Sequence, residues 1–417
     1  MAVWFDPPGM LTNYLNSATQ CTVDGPSEFA AYRDQFFASP LADSILRWCF
    51  PDLSRQDVVD QTHAFRGTED LQLAYVNPLL QRILGETSQG LSISGLEQLP
   101  RDRKFVFISN HRCIVTDAAL VSLNMLSSGR GTCKVCVGDN LMTTHGVSEL
   151  MLLLNGVVIK RSGTRRDVYA NARHVAAYLS RQIEEQRYSI WLSQSPGRTK
   201  DGNDHTDPSI IKMLGLSGAR TRADFEKLHI VPVAISYEFE PCATHKVRET
   251  LLRREQGKYH KTADEDVAQI RSSLVANKGH VHLAFGEEIR LEGAPSGDVV
   301  QEVVDKIDAQ VWSIYRSWDS NQLAHALLTQ GNCDMDSPYA QGFLDMIENK
   351  VAELAAMGLP SAPAREALLQ MYAQPVFNAR RAASSSEAKL HRRAGCTRCA
   401  GTRCSHCESY AGVQGTE

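Results

Sequence analysis

The stretch Lys104-Phe-Val-Phe-Ile-Ser-Asn-His111-Arg-Cys-Ile-Val-Thr-Asp117-Ala-Ala-Leu120 opens as one kind of structure and closes as another. Residues 105–108 are apolar and β-rich, with the length of a buried strand. Ser109 and Asn110 favour turns and helix caps, and Ala118, Ala119, Leu120, Val121 and Leu123 read as a helix. His111 therefore falls where a strand hands over to a helix, the edge at which α/β proteins assemble their chemistry. Asp117 could orient the imidazole so that it takes a proton from a hydroxyl. Taken alone, the stretch fits a strand-end histidine beside a solvated aspartate better.

Outward from this stretch the pattern repeats. Short apolar runs recur at residues 91–93, 133–137, 157–160, 188–192, 230–236 and 280–285, with helical patterns between them at 168–185 and 208–214. Alternation of this kind predicts an α/β fold, a mixed, largely parallel sheet covered by helices. Helical flanks are expected at both ends. Residues 28–84 space their apolar positions by three and four, Pro51 ends the first segment, and helices are expected at 56–63 and 71–84. From residue 298, Val299, Val300, Val303, Val304, Ile307, Val311 and Ile314 form one apolar helical face, followed by helices at 339–357 and 364–372. The expected organisation is a flexible leader at 1–27, a helical region at 28–89, an α/β core at 90–290, a helical region at 291–378 and a basic, cysteine-rich tail at 379–417.

With 417 residues, 43% hydrophobic and 22% charged, and a net charge of -4, the chain reads as an ordinary globular protein. No basic excess points to nucleic acid. No apolar run reaches the roughly 18–20 residues that span a bilayer, and the N-terminus lacks a basic region followed by an apolar core. The expected location is cytoplasmic, with any membrane contact peripheral and on the inner face. Of the eleven cysteines, four crowd together as Cys396, Cys399, Cys404 and Cys407. Their paired spacing suits a small zinc loop, with His406 as a further ligand, or else they are thiols in a disordered tail. Cys133 and Cys136 fall within one strand, three apart, so their side chains face opposite ways and read as core.

Four further motifs follow in order. They are Gly138-Asp-Asn-Leu141 with Val147-Ser-Glu-Leu-Met151, then Asn155-Gly-Val-Val-Ile-Lys-Arg161, then Gln194-Ser-Pro-Gly197-Arg198-Thr-Lys200-Asp-Gly202, and finally Ile230-Val-Pro232-Val-Ala-Ile-Ser-Tyr-Glu238. Together with Ser109-Asn-His-Arg112 and Asp117 they resemble the glycerophospholipid acyltransferase family, in particular a bacterial branch reading S-N-H-R-D-I-V-L-D. The resemblance covers roughly residues 90–286. It departs at Cys113, where the branch has aspartate, at Thr116, and at Pro196, where it has a glutamate that shapes the acceptor site.

What the resemblance implies is an O-acyltransferase of phospholipid biosynthesis. His111, aided by Asp117, would deprotonate an acceptor hydroxyl, which attacks the thioester of acyl-coenzyme A or acyl carrier protein. The acceptor would be glycerol 3-phosphate or a lysophospholipid at a membrane surface. Arg161, Arg198 and Lys200 would hold its phosphate, with Asn110, Arg112, Gly156, Gly197 and Pro232 completing the binding motifs. No metal or other cofactor is required in the core. Cys113 reads as a small inert filler at a helix start rather than a nucleophile. Six residues turn an ideal helix about 600°, so His111 and Asp117 can meet only across an irregular turn. The competing reading is an impaired homologue that binds lipid or regulates without catalysis, suggested by the changes at Cys113, Ser195 and Pro196. A third is an acyltransferase retuned to an acceptor without phosphate.

Overall fold

All seven apolar runs form strands: β1 Ser88–Ser94, β2 Val106–Ser109, β3 Cys133–Gly138, β4 Gly156–Ile159, β5 Ser189–Ser193, β6 Ile230–Tyr237 and β7 Gly279–Phe285. The structure, a computed structural model, describes residues 22–142, 146–257, 259, 263–291, 297–331 and 334–393. The strands make one sheet in the order β1-β7-β6-β2-β5-β3-β4. Five of them, β6, β2, β5, β3 and β4, run parallel, whereas β7 is antiparallel to β6 and β1 follows β7. The fold is therefore α/β with a mixed, mostly parallel sheet and helical flanks.

The central strands are buried on both faces, and their alternating side chains feed two cores. Ile108, Ile190, Leu192, Ile230 and Ala234 pack beneath the helices Arg165–Glu184, Pro208–Leu214 and Val299–Ile314. Phe107, Trp191, Val231, Val233 and Ile235 pack on the other face against Leu120, Val121 and Met125 of the helix Thr116–Ser127. Cys133 and Cys136, both buried, fall into different cores, as residues three apart in a strand must.

The helices differ from the expectation in three places. Ser39 and Pro40 break the first segment into Pro26–Ala38 and Pro40–Cys49, because proline cannot donate a backbone hydrogen bond. Two helices, Ala243–Gln256 and Ala263–Val275, carry no clean apolar stripe in the sequence. The first buries the ion-paired Lys246 and Glu249 beside the apolar Ala243, Val247 and Leu251, so its inner face is mixed. The last helix runs Ser361–Arg393, through Pro375 and well past Asn378. Helical backbone therefore replaces the disordered tail expected from residue 379 as far as Arg393. Ala382 is buried in the core and Arg381 stacks over Trp312, which holds the extension to the body. Pro375 has no N–H for the Met371 carbonyl four residues earlier, and Gly202 packs onto that carbonyl. A Cβ at Gly202 would lie 2.2 Å from it, and its φ of +78° also favours glycine. Cys396, Cys399, Cys404 and Cys407 lie outside the described residues, as does most of the expected leader.

Candidate active site

The parallel strands end at one edge, and every candidate motif leaves the sheet there. At the end of β2 the chain does not enter a helix directly. Residues 110–115 form a loop, and the helix Thr116–Ser127 begins only with Thr116. His111 lies on the loop and Asp117 in the first helical turn, so no shared helical face is needed. His111 Nδ1 stands 2.9 Å from Asp117 Oδ2. That same oxygen accepts the backbone N–H groups of Arg112 (2.6 Å) and Cys113 (2.8 Å). The other oxygen, Oδ1, accepts the Tyr237 hydroxyl at 2.7 Å.

Asp117 is wholly buried. Burial alone would raise its carboxyl, but the hydrogen bond and charge of His111, with the Cys113 N–H and the Tyr237 hydroxyl, outweigh it and hold the group below the usual carboxylate range. An ionised Asp117 accepts only, so Nδ1 must carry its proton and Nε2 is left as the base. Among the described residues Nε2 has no hydrogen-bond partner, and the imidazole keeps 14% of its surface exposed against none for Asp117. The ring meets the edge of Trp191, with centroids 5.5 Å apart, and the Trp191 indole N–H is tied to Ser109 Oγ at 3.0 Å.

Asn110 and Arg112 are both engaged within the scaffold. The Asn110 amide accepts from Ile235 N–H (2.8 Å) and donates to Ile235 C=O (3.0 Å), taking the place of a peptide group where β2 leaves β6. Arg112 is buried on Asp204 at 2.5 Å, with Glu240 at 3.6 Å and Tyr315 beneath it. Asp204 also takes Asn110 Nδ2 and the Thr199 hydroxyl, so it ties the loop after β2 to the loop after β5. Nothing in the sequence separates this aspartate from an ordinary turn residue.

Two of the expected phosphate ligands are likewise engaged. Arg198 is buried and donates to Gln269 of the helix Ala263–Val275. Lys200 pairs with Glu249 at 2.6 Å, and burial, with the neighbouring Arg198 charge, lowers its ammonium to about 8. Glu249 thus brings a buried carboxylate to the loop that carries Pro196, and Pro196 itself is exposed. Gly197 has a φ of +103°, which accounts for glycine there. Gly156 and Pro232 are built into strands: a Cβ at Gly156 would meet the Met151 carbonyl at 2.6 Å, and Pro232 is buried in β6 opposite Ile108.

Arg161 is different. Its side chain is exposed at the end of β4, and among the described residues its guanidinium has no hydrogen-bond or ion-pair partner. Its backbone is held by Asp139, whose carboxylate accepts Arg161 N–H (3.1 Å) together with the N–H and hydroxyl of Ser162. The Gly-Asp-Asn turn is thereby a brace for the arginine. The guanidinium lies across Gly138 of β3, where an added Cβ would stand 3.0 Å from Cζ.

Cys113 is fully buried against Cys242, whose thiol hydrogen bond draws the Cys113 thiol down against the effect of burial. It offers no surface to a thioester. Among the described residues, no group of three or more His, Cys, Asp or Glu side chains is placed to hold a metal ion.

This edge sets a buried carboxylate behind an accessible imidazole, an arrangement suited to taking a proton from a hydroxyl. Residues 90–236, which run from β1 into β6 and include the His111–Asp117 pair, match the Acyltransferase family. Among solved structures, the 1-acyl-sn-glycerophosphate (LPA) acyltransferase PlsC from Thermotoga maritima is 16% identical and covers 67% of this chain and 94% of its own, at a TM-score of 0.35. No curated protein matches the chain.

Proposed function

We propose that this protein transfers a fatty acyl group from acyl-coenzyme A or acyl carrier protein to a hydroxyl of glycerol 3-phosphate or a lysophospholipid, with His111 as general base. The observation that carries the reading is the Nδ1–Asp117 contact of 2.9 Å, which leaves Nε2 free to accept a proton. Nε2 takes the acceptor hydroxyl's proton as its oxygen attacks the thioester carbonyl carbon. The tetrahedral intermediate collapses with loss of the C–S bond, and the thiolate leaves with the proton returned by the imidazolium. Asp117 keeps the ring in the working tautomer and balances the positive charge.

Arg161 is the phosphate ligand in this reading, because Arg112 and Arg198 are committed to internal partners. A planar guanidinium suits a phosphate by donating two parallel hydrogen bonds. Its lean across β3 brings it within two strand spacings of β2, about 10 Å. A glycerol phosphate reaching from both sides would span much of that gap. No helix among the described residues is long and apolar enough to cross a membrane, so lipid would be met at a surface. Exposed Trp48 on the helix Pro40–Cys49, and Leu53 in the turn after it beside Arg47, offer apolar and basic groups suited to such contact, while Arg55 there is paired with Asp43 at 2.9 Å.

The test is acyl transfer by the purified chain, with either donor and a panel of glycerol 3-phosphate, lysophosphatidate and uncharged or amino-lysolipids, repeated with His111→Ala. Product formed by the wild type and lost at least ~100-fold in the variant is expected. A folded wild type that acylates none of them, yet binds lipid, would replace this proposal with the non-catalytic one. Preference for an acceptor without phosphate would remove Arg161 from its assigned role.

A further inference from the structure

We infer that Tyr237 is a positioning residue for the His111–Asp117 pair, fixing the aspartate through the oxygen that the histidine does not use, with Thr116 behind it. The inference rests on the acyl-transfer reading of that pair. Tyr237 ends β6, the strand beside β2, and its ring lies in the core that also holds Phe107 and Leu120. A phenylalanine would fill that space equally well. The hydroxyl instead reaches Asp117 Oδ1 at 2.7 Å and Thr116 Oγ1 at 2.8 Å.

Proton counting fixes the direction. An ionised carboxylate only accepts, so the one phenolic proton goes to Asp117, and the Thr116 hydroxyl must donate to the phenol oxygen. Burial and the adjacent Asp117 charge raise the phenol well above its ordinary value, so it stays a donor. The result is a chain from Thr116 through Tyr237 and Asp117 to His111, in which each bond polarises the next.

Three donors converge on Oδ2, from His111, Arg112 and Cys113. On their own they leave the carboxylate able to pivot about its Cβ–Cγ bond. A fourth donor on Oδ1 locks that torsion and keeps a lone pair aimed at Nδ1. It also draws charge from the carboxylate, so the shared proton stays on the imidazole. Thr116 is the residue five after His111, and it joins this chain from the start of the helix.

The test uses the full chain with Tyr237→Phe, Thr116→Val and His111→Ala, measuring kcat and KM together with the low-field proton resonance of His111 Nδ1–H, assigned by its absence in His111→Ala. Tyr237→Phe is expected to lower kcat roughly 10–100-fold with KM little changed and to move the resonance downfield as the freed charge strengthens the Nδ1–H bond. Thr116→Val should act in the same direction and less. Unchanged kcat and resonance in Tyr237→Phe, or a loss confined to KM, would overturn the assignment. If Tyr237→Phe does not fold, Thr116→Val decides, and wild-type values for both readouts count against it. If the wild type transfers no acyl group, that failure belongs to the proposed reaction, and the resonance alone decides: a downfield shift upholds the role of Tyr237 and no shift overturns it.

Discussion

At the scale of residues, a single carboxylate controls the site. Asp117 is buried, ionised and held by four donors, two of them backbone N–H groups of the loop that carries His111. Asparagine in its place would keep the shape but present an amide in which one end is a donor. Asp117→Asn is therefore expected to lower kcat about 10²–10⁴-fold, by favouring the wrong imidazole tautomer. The same group links pH to stability. Its folded value lies below the unfolded one, so its contribution is full above the unfolded carboxylate value, about 4, and is lost as pH falls through the lower folded value. Urea unfolding of wild type and Asp117→Asn across pH should show a stability difference at neutral pH that shrinks below about pH 4. A difference that persists unchanged into acid would mean the carboxylate is not depressed.

At the scale of elements, strand ends and the turns after them decide which cations are available. The resemblance offers Arg161, Arg198 and Lys200 to the phosphate, with Arg112 among the binding motifs. Packing commits three of them to Asp204, Gln269 and Glu249 and leaves Arg161 out on β4, braced by Asp139. Its neighbour Gly138 has a φ of −76°, which any residue can adopt, so alanine there strains no backbone. The new Cβ would instead displace the Arg161 guanidinium and the Asn140 side chain. Gly138→Ala and Arg161→Ala should both raise KM for phosphate-bearing acceptors, about 10-fold or more for the latter, with kcat much less affected. Neither should change the KM of an uncharged acceptor. Equal effects on both acceptor classes would show that Arg161 does not read the phosphate.

At the scale of the molecule, the N-terminal helices are fastened to the sheet by a buried cation. Lys134 of β3, fully inaccessible, donates to Thr22 Oγ1 (3.0 Å) and the Val23 carbonyl (2.8 Å), pairs with Asp24 at 2.7 Å, and lies 4.9 Å from the Tyr188 ring centroid. Lys134→Met keeps the length and removes these bonds. Its expected cost is about 1–3 kcal/mol, with faster amide exchange in the helix Pro26–Ala38 and little change in the central strands. Uniform exchange across the chain would mean that this clasp is not local.

The central strands were legible in the sequence because a strand buried on both faces must be a short, continuous apolar run, as β2, β5 and β6 are; the half-exposed edge strand β1 showed only as the shorter run at residues 91–93. The strand-to-helix handover also marked His111, since a polar Ser-Asn-His turn between two apolar elements can lie only at a sheet edge. Helices such as Ala243–Gln256 were not legible: periodicity reports apolar burial, and this helix buries a lysine and a glutamate. Spacing alone could not join His111 to Asp117, because the joining depends on a loop conformation held by Asp204 and by the backbone donors to Asp117. Nor could it bring Tyr237 to Asp117 from 120 residues away, or say which arginines remain free. Those are matters of which strand lies beside which. The order β6-β2-β5 sets the distances between side chains far apart in the chain, and only tertiary packing fixes that order.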